Sequence, residues 1–200
     1  MTVLRRLVAP VNMAVTLDEA KNHLKILSTE TEDDALLTRV ILAASEMLER
    51  ECKLALITQT WGLYSDEFKE EFHIFKHPVQ AVSSIQYYDI NGVLQTVDAT
   101  HYFVDNVSRP ARIIFKGDYI FPDIEEYRPN GLVFTFTVGY GDDATDVSSE
   151  VRSCLLMMLS HWYENREAVV ISNWSIHNLP FAVTKMIEQL DVVTFGSDTF

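Results

Sequence analysis

The sequence predicts an α+β fold in which N- and C-terminal segments pack into a helical core, with an antiparallel β region inserted between them. Apolar residues recur at helical spacing over residues 16–52, alternate with polar residues between positions 57 and 138, and return to helical spacing after Asp146. Asn91-Gly92 stands between two extended segments, the strongest short hairpin signal, so neighbouring strands run antiparallel. The expected division is an arm over 1–15, helical core over 16–56, β region over 57–140, helical core again over 141–190, and a tail over 191–200.

Residues 1–10 read as an extended arm, since Pro10 and Asn12 interrupt any secretion-signal core. Thr16 caps a helix running to about Ile26, with Glu19 in the N3 position of a capping box and Leu17, Ala20, Leu24 and Leu27 on one face. Glu32, Asp33 and Asp34 open a second helix, where carboxylates complement the positive end of the dipole. Its apolar positions, from Leu36 to Cys52, cover more than a narrow stripe, so it is expected to be buried on two sides.

From Leu56 the period changes. Ile57–Tyr64 is β-branched and aromatic, Phe72–Phe75 forms a second strand stopped at His77-Pro78, and Val82–Asp89 pairs with Val93–Val97 across the Asn-Gly turn. Tyr102–Val104, Ile113–Phe115 and Leu132–Val138 complete six or seven strands, expected to follow one another in an antiparallel sheet or small barrel. Asp146 is placed to cap a helix carrying Val147, Val151, Cys154, Leu155, Met158 and Trp162. Asn178 and Pro180 start a last helix through Leu190.

Two hundred residues suffice for a substantial core, and 48% apolar with 22% charged residues excludes collagen-like and disordered classes. The formal charge of -13 disfavours any role that grips phosphates with Lys and Arg. Cys52 and Cys154 lie outside any CxxC spacing and read as two reduced, buried thiols. No apolar run approaches the roughly 20 residues that a bilayer crossing needs. The chain is expected to be soluble and cytoplasmic when made, with no membrane partner.

Gly139-Tyr140-Gly141-Asp142-Asp143-Ala144 matches G-x-G-x-x-A between a strand and a helix. A dinucleotide site there is disfavoured because no crossover helices separate the preceding strands, and two aspartates would face the pyrophosphate. Tyr140–Asp143 also spells the Tyr-Gly-Asp-Asp of RNA-dependent polymerases, whose paired carboxylates hold magnesium, but the chain is too short to hold the rest of such an enzyme. A strand end, a tight turn and an acidic helix start account for the same residues. The enzyme alternative is therefore a metal-dependent module using Asp142 and Asp143. A third class is a monomeric module that captures a peptide at a sheet edge.

None of the six histidines has metal-ligand spacing, and no G-x-S-x-G or phosphate-binding loop occurs, so no catalytic residue, metal or cofactor is assigned. The cluster from His161 to Glu167 reads as a helix C-terminus with Trp162 in the core. Apolar side chains concentrate at the ends: Leu4, Leu7 and Val8 in the arm, and Val192, Val193, Phe195 and Phe200 in the tail. Segments too short to bury such residues find another surface, on this chain or another.

Four segments together resemble the head-tail connector, or neck adaptor, proteins of long-tailed bacteriophages and gene-transfer agents. They are Thr16–Lys21 with Asp33–Leu37, Leu56–Trp61, Pro78-Val79 through Tyr87–Gly92, and Phe136–Gly141 leading to Tyr163–Glu167. The resemblance implies a non-enzymatic virion protein, in a ring of twelve copies at the virion neck. Its implied partners are the portal protein and a stopper or tail-completion protein, with DNA passing through the channel without sequence-specific binding. Phe181, Ile187, Leu190, Val192, Val193 and Phe195 are the candidate portal-docking residues, and Leu4, Leu7 and Val8 the candidate arm contacts. The excess of carboxylates suits a channel that repels DNA.

Overall fold

The computed structural model describes residues 2–125, 127–165 and 180–192, with side chains described to residue 190. The chain divides into two compact units, Met1–Pro10 with Thr58–Gly139 and Val11–Ile57 with Tyr140–Phe200. Each unit draws on chain segments distant in sequence.

The β unit holds two antiparallel sheets. Strands β1 (Thr2–Val8), β2 (Gln59–Ser65), β8 (Leu132–Val138), β4 (Val79–Tyr88) and β5 (Leu94–Thr96) pair in that order. Strands β3 (Glu71–Ile74), β7 (Ala111–Phe115) and β6 (Tyr102–Asp105) form the second sheet. The strands do not lie in the sequential order expected of a meander or barrel. Strand β8 comes last in sequence yet sits between β2 and β4, because its alternating Leu132, Phe134, Phe136 and Val138 form the most apolar face available. All four are fully buried, and a central strand satisfies its backbone on both sides. In the second sheet Ile113 and Phe115 of β7 meet Phe72 of β3, and Phe72 reaches Phe134 with ring centroids 4.4 Å apart.

The N-terminal segment expected as an arm is strand β1. It runs antiparallel to β2, from Thr2 opposite Ser65 to Val8 opposite Thr60. Pairing satisfies the backbone edge of β2 that β8 leaves open, which outweighs the ordering cost of a short terminal segment.

The helical unit contains α1 (Leu17–Leu24), α2 (Asp34–Glu51), α3 (Ser149–Glu164) and α4 (Phe181–Val192). Thr16 Oγ1 accepts from Glu19 N–H as the N-cap, but the Glu19 carboxylate turns to Arg152 of α3 instead of closing a box with Thr16. Helix α1 stops at Leu24, earlier than expected, because Lys25 enters the left-handed region (φ 59°) and its N–H returns to the last turn. Leu27, expected on the apolar face, is consequently exposed.

On α2, Leu37, Ile41, Ala44 and Leu48 make a fully buried stripe, while Leu36, Val40 and Met47 are half-buried and Leu42 faces solvent. The helix therefore has one buried face with flanks, not the two buried sides its composition suggested. Ser148, not Asp146, caps α3, its Oγ accepting from Val151 N–H. Residues Ala144–Asp146 form a separate 3-10 turn. Val151, Cys154, Leu155, Met158 and Leu159 of α3 and Val183 of α4 join the α2 stripe in one core, with Trp162 packed at its margin. Both cysteines are buried free thiols. Asn178, the expected start of the last helix, lies outside the described residues, as do Arg166 and Glu167.

Buried polar groups lock the helices in register. Lys21 is 3% exposed, donates through Nζ to the Glu30 carbonyl at 2.7 Å, and pairs with Asp34 at the start of α2. Tyr163 of α3 donates to Asp33, and the buried Glu49 accepts from Leu56 N–H at 2.8 Å where the chain leaves α2. A partnered charge at each junction, buried at Lys21 and Glu49 and half-buried at Asp33, fixes which turn of one segment meets which turn of the next.

Candidate functional site

The turn that follows β8 shows what its glycines do. Gly139 has φ +134°, a backbone conformation that side-chain-bearing residues rarely adopt. A Cβ on Gly141 would lie 2.2 Å from Asp146 Oδ2, so the Asp146 side chain occupies the space. That side chain accepts from Asp143 N–H at 3.0 Å, and the Asp143 side chain completes a reciprocal capping box. Asn12 ties down the same turn, its Nδ2 donating to the Asp142 carbonyl at 3.0 Å and to Asp143 Oδ1 at 3.2 Å. The glycines thus serve a tight turn, and the Asp143 carboxylate is used in closing it. Among the described residues no group of three His, Cys, Asp or Glu side chains is placed to hold a metal ion.

Surfaces suited to partners lie elsewhere. Among the described residues strand β1 is an edge: it pairs with β2, and no other described strand lies on its second side. Leu4 is half-buried, whereas Leu7 and Val8 are exposed together with Val3, Arg5 and Arg6. The arm contacts proposed from sequence therefore sit on a sheet edge.

The β4–β5 hairpin presents a second apolar surface. Asp89 Oδ1 accepts from the N–H groups of Asn91 and Val93 at 2.9 and 3.0 Å, Oδ2 accepts from Gln95 Nε2, and Gly92 takes φ +73°. The Gln95 hydrogen bond, followed by that from Val93 N–H, holds the Asp89 carboxyl below the usual carboxylate range. On this braced turn Ile90, Val93 and Leu94 project into solvent. At the base Arg128 stacks on Tyr88, 3.5 Å from the ring centroid, and pairs with Glu125. The sequence carries a signal for this surface: apolar residues flank Asn91-Gly92 where turns are ordinarily polar.

In the second sheet Asp105 gathers bonds from Ser108 and Arg112, the Ser108 side chain foremost, which hold its carboxyl far below the ordinary range. This network braces the turn between β6 and β7 beside the exposed Phe103 and Val104.

Of the portal-docking candidates, Phe181 is 77% exposed at the start of α4. Ile187 and Leu190 are half-buried and pack on the helical core, so they also anchor α4 to its own chain. Val193 and Phe195 lie outside the described residues, as does the side chain of Val192.

No curated protein matches the sequence. Among solved structures, a chain in the "Virion of native gene transfer agent (GTA) particle" is 22% identical with a TM-score of 0.72, covering 94% of each chain. Chains from the neck of the empty particle, computed with C6 symmetry, and from the neck of the native particle, computed with C12 symmetry, are each 21% identical. Both have a TM-score of 0.72 and the same 94% coverage. These likenesses show that the α+β fold, helical segments before and after an inserted antiparallel β region in the chain, is shared. The model of the family described as "Phage gp6-like head-tail connector protein" matches residues 14–117, just over half of the chain. That span takes in α1, α2 and strands β2 to β7, the segments that carry most of the resemblance seen in the sequence, and the chain belongs to this phage gp6-like head-tail connector family of structural virion proteins.

Proposed function

We propose that the chain is a neck adaptor: a ring of twelve copies in the virion neck, seated between the portal protein and a stopper or tail-completion protein, with an open channel for DNA. Membership of the head-tail connector family carries this reading. The fold shared with chains in neck structures computed with C12 and C6 symmetry supports the ring. In this role the protein breaks no bonds and needs no cofactor, and it is made in the host cytoplasm before joining the particle. The work is geometric: a closed ring needs two different, complementary faces on each subunit.

Portal docking is assigned to the C-terminal helix and tail. Ile187 and Leu190 seat α4 on the core, Phe181 stands out from it, and Val192, Val193 and Phe195 extend the apolar series. The channel wall is assigned part of the -13 charge, so that DNA phosphates slide past without adhering. A channel lined chiefly by Lys and Arg would overturn that assignment.

Electron microscopy of the purified protein with and without a portal ring tests the whole reading. Twelvefold collars on the portal are expected, and isolated single copies that ignore it would refute the adaptor role. Truncation after Leu190 should abolish portal binding while leaving a folded protein. Unchanged binding would remove the tail from the docking site.

A further inference from the structure

Strand β1 carries the chain's one pair of adjacent basic residues, Arg5 and Arg6, in a protein with 29 acidic side chains against 16 basic. Both are exposed, and neither has an ion-pair partner among the described residues. Val3, Leu7 and Val8 are exposed on the same seven-residue strand, whose outer edge has no backbone partner among the described residues. Proline is absent from it, and although its register against β2 shifts between Arg6 and Val8, Thr2–Arg6 pairs regularly, so along that stretch the two exposed arginines are the guard against edge pairing. Those select a partner: an acidic one.

The same β unit holds such a surface. Asp66, Glu67, Glu70 and Glu71 against Lys69 form its most acidic stretch, and this stretch runs directly into β3. Among the described residues strand β3 pairs only with β7, so its other edge has no strand partner there, and Phe75 is exposed just beyond its end. Glu70 is exposed, and among the described residues Glu67 forms an ion pair only with the exposed Lys69, at 3.4 Å.

Resting on the ring reading above, we infer that the open edge of β1 is one half of the subunit contact that closes the ring, and that the acidic β2–β3 segment, Asp66–Glu71, of a second copy is the other half. Self-pairing of β1 about a twofold axis is disfavoured, because an antiparallel β1–β1 pair centred on the strand brings arginine against arginine. A head-to-tail contact uses two different edges and continues around a ring. The open edges of β1 and of β3, which begins at Glu71, supply backbone hydrogen bonds, while the match of Arg5 and Arg6 with Glu67 and Glu70 selects the register.

Charge reversal tests this on the full-length protein. Arg5→Glu with Arg6→Glu, and separately Glu67→Lys with Glu70→Lys, should each lower the fraction of protein in rings at least about tenfold, measured on the portal by microscopy and in solution by native mass spectrometry. Circular dichroism should remain unchanged, since all four side chains are exposed. Combining the four substitutions in one chain restores opposite charges at every contact and should restore rings. Rings that survive either reversal, or a folded fourfold variant that stays dissociated, would overturn the inference. Wild-type protein that forms no ring even with portal would instead overturn the reading on which it rests.

Discussion

Replacing Gly141 by alanine separates a glycine required by packing from one required by a bound phosphate. The added Cβ meets Asp146 Oδ2 at 2.2 Å, Cγ at 2.4 Å and Cβ at 2.5 Å, all well inside contact distance. Forcing a methyl group into occupied space costs about 1–3 kcal/mol. Displacing Asp146 also breaks the capping box on Asp143 N–H, worth about 1 kcal/mol more, so Gly141→Ala should destabilise by about 2–4 kcal/mol.

Because the three nearest atoms all belong to Asp146, the penalty should depend on that residue. Asp146→Ala leaves the Cβ contact at 2.5 Å and gives partial relief, whereas Asp146→Gly removes all three atoms. Asp146→Gly alone should cost about 1–2 kcal/mol through the lost cap and a looser unfolded chain. The double variant should lie within about 1 kcal/mol of Asp146→Gly alone, a coupling of about 2 kcal/mol. Urea unfolding of the four proteins, followed by circular dichroism and fluorescence, measures the cycle. Strict additivity would refute the packing account, as would an unperturbed Gly141→Ala protein.

Three further outcomes are expected. Phe134→Ala on the central strand, which empties a fully buried site against Phe72, should cost about 3–5 kcal/mol by the same urea assay. Burial, with a smaller contribution from Glu150, pushes the Cys154 thiol up to about 11, so the native protein should resist alkylation at Cys154 at pH 8.5 and react once unfolded, as mass spectrometry would report. With its folded pKa above the unfolded one, the stability this thiol contributes is complete below about pH 9 and falls as pH rises through about 11. Magnesium or manganese should leave the melting temperature unchanged in wild type and in an Asp142→Asn, Asp143→Asn variant alike; stabilisation by metal that the double variant loses would revive the enzyme reading.

Local patterns carried much of this architecture. The helical period over 16–52 and after Asp146, the alternation between them, the Thr16 cap and the Asn91-Gly92 turn are properties of short stretches, and each element formed close to where its residues place it. The two buried thiols follow likewise from apolar helical positions. Capping atoms could not be read in this way when another group competed for them, near or far in sequence. Glu19 was taken by Arg152, 133 positions away, and Asp146 was taken by Asp143, leaving Ser148 to start α3.

Which strands become neighbours was decided only in three dimensions. Alternation says that Leu132–Val138 has one apolar face, but not that it enters between β2 and β4, since that depends on which strands offer unpaired edges and matching registers. The N-terminal segment shows the same division: its composition made it extended and partly apolar, and the open edge of β2 made it a strand. Helical spacing likewise put Ile187 and Leu190 on α4, while packing against the core separated them from the exposed Phe181. Residue chemistry and short-range geometry determine what each segment can become, because those forces act within a turn or two of chain. Pairing and burial act between segments far apart in sequence, so the neighbours of each surface, and the edges left for another molecule, were settled by the folded whole.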